Sequence, residues 1–543
     1  MTKPSLAARA FSLLRLGGRS PRTLYAPDEL HLIPSDLRTP DPEYLDELAA
    51  GTMPLAGGGI ALGRGNPFAT PLRNQELDAA LQGFGWLNHL SCDPDRGRGI
   101  AQRLVGQWLG ASVGSSRERP DVVARRVISW ITHGGLLLEE ADPQLFADVM
   151  TDLVRQVRWL EGLKSGQPLL SRIAVLLADL TLAGRAGNIA GSMQALTAAL
   201  AVEIGTDGGH VSRNPTVPLA LLLDLLPLRQ CFASHHIAPS EAFQDAIARM
   251  GSHLRAMRLG DGSLGRFNGS AAAPLDDLVT VLSVIPQDES DGALGASGYR
   301  RLAQSGTIIL MDCGAAPPTA FAQSAQAGCL SFEISHGDTP ILRNCGCLES
   351  APEKNIALAR ATSSHNTLTL AERSSGRLVT TATAAGARDG LAGPREVTIL
   401  DDETSDGAPM IAARHNGYEE QFGILHTRRL ALNGDGTCLT GDDVLEPRDG
   451  ILRLGKDLPF AIHFHVAPKS TIDQTGVGEA RIRLPDGSAW TLTATHARVS
   501  VETDQASALG PRRVHDRQIV LRGTTPGETR VGWVLRREGS ANA

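Results

Sequence analysis

Three polar stretches of the sequence carry residue types that could bind an acidic group and move protons. The first stretch, 207–215, reads DGGHVSRNP, so that His210, Arg213 and Asn214 follow two glycines closely. An imidazole can take up or release a proton near neutral pH, and a guanidinium can hold a carboxylate. Paired glycines let the backbone turn tightly and bring such side chains close to a ligand. The alternative is a structured loop whose polar groups cap helix ends.

The second stretch places His365 and Asn366 directly before an alternating strand pattern, in RATSSHNTLTL (360–370). A histidine and an amide at the start of a strand could belong to a binding or catalytic site. The histidine could instead be a structural residue whose hydrogen bonds are satisfied inside the fold. The sequence leaves both interpretations open.

The third stretch, 414–418, reads RHNGY and is followed by His426. The chain contains four tyrosines, and Tyr418 is the one that lies in a polar cluster with a histidine. A phenol beside an imidazole is suited to proton transfer, which makes His415 and Tyr418 candidate catalytic residues. The alternative is a hairpin turn at Asn416-Gly417 that exposes the tyrosine.

Other functional motifs are weak or missing in the sequence. There is no P-loop and no G-x-S-x-G nucleophile elbow, and the glycine-rich run 57–63 has no strand–helix context around it. His463 and His465 would face the same side of a strand and could touch a metal, but two ligands alone are insufficient. Partial burial of these two histidines in a sheet is the alternative.

The composition describes an acidic globular chain of at least two domains. A length of 543 residues exceeds what one hydrophobic core usually supports. The net charge of −7 argues against a nucleic-acid binder but allows a local basic cleft for an anionic sugar. The seven cysteines are scattered, and we interpret them as buried small apolar residues. No stretch reaches ~18 consecutive apolar residues, so we expect no transmembrane helix.

The spacing of apolar residues changes near residue 290. From 75 to 288 it has the period of a helix, with short links that favour stacked helical hairpins. From 296 onward the period is two, with turn residues between the segments, which predicts a large antiparallel sandwich. We therefore predict an N-terminal extension (1–74), a helical domain (75–288) and a β domain (296–540). We expect proteases to cut the junction between about 286 and 298.

Several sequence blocks, taken in their order, resemble the heparinase II/III family and in particular its alphaproteobacterial members. The blocks are GFGWLNHL (83–90), DGGHVSRNP (207–215), GDGSLGRFNG (260–269), GCLSFEISHG (328–337) and SSHNTLTL (363–370). The resemblance runs over about residues 65–535. It implies a multidomain α+β protein, with an N-terminal incomplete (α/α) toroid followed by a C-terminal antiparallel β-sandwich. It also implies β-elimination on a uronic-acid-containing polysaccharide.

The resemblance assigns roles to only some residues of this chain. His365 matches a histidine that serves relatives as a metal ligand or site residue, so a divalent zinc or calcium ion is a possible cofactor. The family's catalytic histidine falls near Gln326, its tyrosine near Val217 and its acidic zinc ligand near Asn344. A glutamine cannot act as a general base at neutral pH, which leaves both the activity and the metal site open.

Three functional hypotheses follow from the residues and the resemblance. In the first, the chain is an active lyase whose cleft brings His210 and His365 to one ligand. Its catalytic candidates are His210, His365, His415 and Tyr418. Its substrate-binding candidates are Arg213, Asn214, Gln326 and Asn366. In the second, a catalytically degenerate member binds an acidic polysaccharide without cleaving it. In the third, the protein is a scaffold associated with exopolysaccharide biosynthesis.

The expected partner is an anionic polysaccharide or oligosaccharide, with no role for nucleic acid. The compartment is open, because the resemblance favours the periplasm whereas residues 1–25 lack a clear signal peptide, which favours the cytoplasm. The sugar and the oligomeric state cannot be inferred from the residues.

Overall fold

The chain divides into two compact units. One, the helical unit, is formed by Met1–Val202 and Ala220–Ile247, and the other, the strand-rich unit, by Glu203–Leu219 and Ala248–Ala543. The computed structural model describes residues 27, 29–56, 58–62, 65–111, 118–163, 167–287, 294–346, 353–383, 386–400, 408–448, 457–503, 517–525 and 528–539. The predicted N-terminal segment 1–25 and the stretch 288–293 of the predicted junction lie outside these residues.

The helical unit contains one antiparallel hairpin and a series of helices. The hairpin pairs β1 (Thr52–Leu55) with β2 (Gly58–Ala61). The helices that start in this unit or at its boundary are α1 (Tyr44–Ala49), α2 (Gln75–Gly83), α3 (Leu87–Leu90), α4 (Pro94–Leu109), α5 (Pro120–Thr132), α6 (Gly134–Leu138), α7 (Pro143–Glu161), α8 (Leu169–Thr181), α9 (Ile189–Glu203), α10 (Thr216–Ser234) and α11 (Glu241–Ala256).

Local sequence explains where several of these helices begin and end. Asp142 caps α7 by accepting from the backbone N–H of Gln144, and Pro143 at the first helical position needs no donor of its own. The apolar run 122–138 divides at His133 into α5 and α6. A Cβ on Gly134 would lie 2.7 Å from Leu30 Cδ1, so a larger residue at Gly134 would require the Leu30 side chain to move.

Helix α10 is a long apolar helix. By length and composition alone it could cross a membrane, but 61% of its most apolar window is buried inside the fold. It continues through Pro227 and is flanked by polar turns. Among the described residues it is the one helix that passes this test, and its burial is that of a core helix.

The strand-rich unit is built from antiparallel sheets. It also holds the helices α12 (Leu275–Val284), α13 (Glu353–Ala359) and α14 (Glu419–Phe422). A four-stranded sheet has the order β3 (Tyr299–Gln304), β4 (Thr307–Asp312), β5 (Phe332–His336) and β6 (Thr339–Leu342). A hairpin pairs β8 (Arg377–Thr383) with β9 (Gly386–Ala392).

Two further sheets complete this unit. The first, of eight strands, has the order β10 (Val397–Ile399), β11 (Met410–Tyr418), β12 (Ile424–Leu432), β13 (Cys438–Pro447), β20 (Thr529–Arg537), β17 (Ala489–Ala494), β16 (Glu479–Arg483) and β15 (Thr471–Gly476). The second, of four strands, has the order β18 (Arg498–Thr503), β19 (Arg517–Thr525), β14 (Leu458–His465) and β7 (Leu368–Leu370).

One hydrophobic core joins strands from these sheets. Phe332 of β5 and Phe464 of β14 both contact Trp533 of β20, with ring centroids 5.6 and 4.9 Å apart. The predicted division into a helical N-terminal region and an antiparallel C-terminal region is confirmed, whereas the ring of helices and the two-layered sandwich stay predictions.

Candidate functional site

The turn at 207–215 lies in the strand-rich unit. It is held by hydrogen bonds to the carboxylate of Asp207 and by the close packing of Gly208 against Arg249. Asp207 accepts from the backbone N–H groups of Ser297 at 2.8 Å and Gly295 at 3.1 Å. Burial acts to raise the pKa of Asp207, but these hydrogen bonds outweigh it and lower the pKa. Gly208 has φ +79°, and a Cβ there would lie 1.9 Å from the carbonyl oxygen of Arg249. The glycines therefore allow two chain segments to pack together.

His210 is paired with a carboxylate at this turn. His210 is 9% exposed, and the Ser212 backbone N–H donates to its Nδ1 at 3.1 Å. Nδ1 thus carries the lone pair, and Nε2 donates to Glu203 Oε2 at 3.1 Å. The edge of the ring meets Phe321, with centroids 5.7 Å apart. The result is an ordered imidazole–carboxylate pair, and its catalytic role stays a prediction.

Arg213 and Asn214 bond to the protein itself, and their role in holding a substrate carboxylate stays a prediction. Arg213 donates to Asp312 and, at 2.8 Å, to the carbonyl oxygen of Ser297. Burial acts to lower the pKa of Arg213, but the charge of Asp312 outweighs it and raises the pKa. Asn214 Oδ1 accepts from the N–H and the hydroxyl of Thr216 at the start of α10. The alternative, a helix-capping loop, is confirmed for Asn214.

His365 and Gln326 meet inside the strand-rich unit. His365 is 1% exposed and donates from Nδ1 to the carbonyl oxygen of Ala361 at 2.8 Å. Its Nε2 lies 3.1 Å from Gln326 Oε1, and Gln326 Nε2 donates to the carbonyl oxygen of Gly346 at 3.1 Å. Burial lowers the pKa of His365 to about 4, so the ring is neutral near pH 7. The neutral ring carries its one proton on Nδ1, so Nε2 presents a lone pair to the amide oxygen of Gln326 and this contact joins two acceptors. The two predicted site residues are therefore buried neighbours, each hydrogen-bonded to main-chain carbonyl groups.

Asn366 is fully buried and supports the backbone, and its role in substrate binding stays a prediction. Its Nδ2 donates to the carbonyl oxygen of Phe332 at 2.8 Å, and its Oδ1 accepts from the backbone N–H of His465 at 2.6 Å. Asn344 accepts at Oδ1 from the Asn366 N–H and donates from Nδ2 to the carbonyl oxygen of Arg266. Both amides thus hold strands and loops in place.

The predicted metal role of His365 does not fit its surroundings. The described part of the chain contains no group of three or more His, Cys, Asp or Glu side chains that could hold a metal ion. His365 Nε2 faces Gln326, and a Cβ on Gly328 would lie 2.8 Å from His365 Cδ2. An amide at Asn344 is also a poorer ligand than a carboxylate. These residues therefore suit neither zinc nor calcium.

Tyr418 lies in the β core, and its role in proton transfer stays a prediction. Its residue is 1% exposed, and its hydroxyl donates to the carbonyl oxygen of Leu368 at 2.6 Å. Burial raises its pKa above the usual range of a phenol. The alternative, a hairpin at Asn416-Gly417 with an exposed aromatic, is wrong, because β11 runs through these residues to Tyr418.

His415 belongs to a buried polar network inside the eight-stranded sheet, and its catalytic role stays a prediction. His415 Nδ1 accepts from the Gly417 N–H at 2.9 Å, and its Nε2 lies 3.3 Å from Nδ1 of His426. His426 donates from Nε2 to Asp443 at 2.7 Å, and Arg428 donates to both oxygens of Asp443 at 2.9 and 3.0 Å. Burial lowers the pKa of His415 well below its ordinary value.

His463 and His465 face the same side of β14, as the alternation predicts. Their rings are stacked with centroids 6.2 Å apart. His463 contacts Gln518 Oε1 at 3.0 Å and Thr369 Oγ1 at 3.2 Å, and His465 donates to the carbonyl oxygen of Ser363 at 3.0 Å. Both rings are buried, which agrees with the alternative interpretation of these residues.

Arg266 is a candidate binding residue that the sequence analysis missed. Its guanidinium is partly buried and makes no hydrogen bond to a side chain or carbonyl of the described residues. Burial and the neighbouring charge of Arg343 lower its pKa, against the opposing effect of Glu333. Arg343 itself donates to Asp261 at 3.2 Å and to Ser263 at 2.8 Å. The available signal was an arginine within the block GDGSLGRFNG.

Comparison with known proteins agrees with this architecture. The family description "Heparinase II/III-like, C-terminal" matches residues 286–534. FtsZ-localized protein C of Caulobacter vibrioides (strain NA1000 / CB15N) is 30% identical over 503 residues, which cover 86% of this chain and 83% of that protein. The chain belongs to the heparinase II/III-like family. As a member of this family it has helical and antiparallel regions in the order that the sequence predicts.

Solved structures of heparinase II/III-like proteins share the fold at low sequence identity. A heparinase III crystal structure has a TM-score of 0.69 and 10% identity, with 98% of this chain and 90% of that chain covered. Heparan sulfate lyase HepC from Pedobacter heparinus has a TM-score of 0.56 and 15% identity, with 99% and 88% covered. At these identities the likeness extends to the fold alone.

Proposed function

We propose that this heparinase II/III-like protein binds an anionic, uronic-acid-containing glycan without cleaving it. The family and its fold support an acidic polysaccharide as the partner. The observation that carries the proposal is the burial of the proton-moving candidates among partners of their own chain.

Cleavage by β-elimination needs a base within hydrogen-bond reach of the proton on C5 of the sugar. Tyr418 donates to a main-chain carbonyl in the core, and His415 is enclosed in the network with His426. His365 is 1% exposed, so its Nε2 lone pair, which faces Gln326, is not open to a sugar. This arrangement supports binding rather than turnover.

The guanidinium of Arg266 supports the binding of an anion. A partly buried cation loses hydration, and this cost is recovered when an anion supplies charge-assisted hydrogen bonds. Arg343 adds a second positive charge nearby, although its own hydrogen bonds go to Asp261 and Ser263. Glu333 and Asp261 supply negative charge near Arg266 but no hydrogen bond to its guanidinium. A carboxylate or sulfate group of a glycan would supply the hydrogen-bond acceptors that Arg266 lacks among the described residues.

The first test separates binding from cleavage. The full-length protein is incubated with heparan-like, alginate-like and bacterial uronate polymers, and the ultraviolet absorbance of unsaturated products is followed. We expect no rise in absorbance, together with measurable binding of at least one polymer in titration calorimetry. A rise in absorbance on any polymer would contradict the proposal, and so would the failure of every polymer to bind.

A pair of variants tests the role of Arg266. Arg266→Ala should weaken glycan binding by about tenfold or more, because a hydrogen bond to a charged group contributes about 1.5–3 kcal/mol. Arg498→Ala is the matched control, since Arg498 is exposed on β18. Equal affinities of the two variants would remove Arg266 from the site.

The variant Gln326→His tests how far the chain is from an active lyase. A large gain of unsaturated product over the wild-type protein would support the loss of one base as the reason for inactivity. We expect no gain, because Tyr418 remains in the core in this variant.

A role beside the division protein FtsZ is a second candidate function. It is favoured by the 30% identity to FtsZ-localized protein C over 86% of this chain. Co-sedimentation of the purified full-length protein with polymerised FtsZ tests it, with unpolymerised FtsZ as the control. We expect the protein in the pellet only with polymers, and its absence from both pellets would reject the role.

A further inference from the structure

Cys345 and His465 form a thiol–imidazole pair in the strand-rich unit. Cys345 follows β6 and is partly exposed. Its Sγ lies 3.4 Å from Nδ1 of His465, the last residue of β14. This distance places the thiol proton within reach of the imidazole.

The tautomer of His465 directs its lone pair at the thiol. Its Nε2 lies 3.0 Å from the carbonyl oxygen of Ser363, and a carbonyl only accepts, so Nε2 carries the proton. In the neutral ring Nδ1 is then the acceptor that faces Cys345. The backbone of His465 is also held, because its N–H donates to Asn366 Oδ1 at 2.6 Å and its carbonyl accepts from Arg343 N at 3.0 Å. A base oriented by a third group is the arrangement that activates a nucleophile.

The charged surroundings of the pair favour a thiolate. Arg266 lies close by, since a Cβ on Gly346 would be 3.2 Å from Arg266 Cδ, and its cation interacts with the charge of Cys345. Two titratable residues of the described part of the chain that interact with His465 are His365 and His463. Burial lowers the pKa of each to about 4, so both are neutral near pH 7. A positive charge beside a partly exposed cysteine promotes its ionised form.

Other described cysteines are in different surroundings. Burial raises the pKa of Cys231 to about 12 and that of Cys329 well above its ordinary value. Cys92 is exposed, but its thiol donates to the carbonyl oxygen of His89 at 3.0 Å. The cation of Arg96 also interacts with the charge of Cys92. Because a carbonyl cannot take up a proton at neutral pH, Cys92 is a reference for a thiol that has a neighbouring cation but no base.

We propose that Cys345 is an oxidisable thiol that hydrogen peroxide converts to a sulfenic acid. His465 takes the thiol proton, and the thiolate sulfur attacks one peroxide oxygen. A sulfur–oxygen bond forms while the oxygen–oxygen bond breaks. The leaving hydroxide takes the proton from the imidazolium of His465 and departs as water. The sulfur loses two electrons, and the peroxide is reduced.

The test measures oxidation of the full-length folded protein at single cysteines. The protein is treated with hydrogen peroxide in the presence of dimedone, which traps sulfenic acids, and labelled peptides are quantified by mass spectrometry. Cys347 follows two positions later in the sequence, so the Cys347→Ser background assigns the label to Cys345. We expect Cys345 to be labelled about tenfold faster than Cys92 near neutral pH, because the thiolate is the form that attacks peroxide.

Two histidine variants on the same strand test the base. His465→Gln should bring the labelling rate of Cys345 down towards that of Cys92. His463→Gln is the matched control, because His463 bonds to Gln518 and Thr369, and should leave the rate unchanged. Labelling of Cys345 no faster than Cys92, or equal rates in both variants, would overturn the proposal.

A second measurement applies if the His465→Gln variant does not fold. The wild-type protein is then alkylated with iodoacetamide across pH 5.5–9 (about the range in which thiols and imidazoles titrate). We expect Cys345 to keep reacting at mildly acidic pH, where Cys92 has stopped. Superimposable pH profiles of the two cysteines would overturn the proposal. Neither readout depends on glycan binding.

Discussion

Oε1 of Gln326 lies 3.1 Å from Nε2 of His365, and Nε2 of the same amide donates to the carbonyl oxygen of Gly346. The glutamine therefore connects the histidine of the block SSHNTLTL to the loop that follows β6. Gln326, near which the family resemblance places a catalytic histidine, here contacts His365 and bonds to the loop at Gly346. The side chain is buried, so its hydrogen bonds matter for stability.

Gln326→Ala should lower the free energy of unfolding by about 1–3 kcal/mol, because the polar partners of the amide are left buried without a hydrogen bond. Urea denaturation followed by circular dichroism measures the change. Gln323→Ala is the control, since Gln323 is exposed and donates to the carbonyl oxygen of Ala320. Equal stability of the two variants would show that the amide contributes little.

Asp443→Asn should destabilise the protein by about 3–5 kcal/mol, because the buried charge of Arg428 would lose its carboxylate partner. The neighbouring Asp442 pairs with Arg530, whose side chain is 70% exposed. Asp442→Asn should therefore cost less than about 1 kcal/mol. Chemical denaturation of both variants measures the difference, and similar costs would argue against a buried ion pair.

Tyr418→Phe should cost about 0.5–1.5 kcal/mol, the net contribution of one hydrogen bond, here to the carbonyl oxygen of Leu368. Its glycan affinity should equal that of the wild-type protein, because the ring keeps its packing. Calorimetric titration and denaturation on the same preparation measure both effects. A specific loss of binding with unchanged stability would return Tyr418 to the functional site.

Gly208→Ala should be far more destabilising than Gly184→Ala. Both glycines have φ +79°, so the cost of the left-handed backbone, about 1–2 kcal/mol for a residue with a Cβ, is shared. A Cβ at Gly208 would also meet the carbonyl oxygen of Arg249, whereas no atom lies within 4 Å of one at Gly184. Thermal melting compares the two variants, and equal shifts would mean that the turn can relax.

Acidification should weaken the fold between about pH 6.5 and pH 4. Burial lowers the pKa of His253, His365 and His463 to about 4 from 6.5. In this window the unfolded chain binds protons that the folded chain does not, so stability falls as the pH falls. Urea midpoints at pH 7.5 and pH 5 measure the loss. His253→Gln should reduce it, whereas His496→Gln, at an exposed residue, should not.

Helices and strands could be predicted from the sequence, because the spacing of apolar residues follows which face of each element is buried. The region 75–288 is predicted to be helical from its spacing, and it contains helices such as α8 (Leu169–Thr181) and α12 (Leu275–Val284). The partners of the polar clusters could not be predicted, because they lie far along the chain. Nothing near Tyr418 or His415 in sequence reveals Leu368 or Asp443. Arg266 was overlooked because the absence of a partner becomes visible only in the folded chain.

The ion pair between Arg428 and Asp443 also fixes the alignment of two strands. Arg428 of β12 stands directly opposite Asp443 of β13, and Arg429 stands opposite Asp442 on the outer face. A slip of one position would carry a side chain to the other face of the sheet and leave a charge alone in the core. A shifted register would therefore leave Arg428 or Asp443 buried without its charged partner, which disfavours misaligned strands.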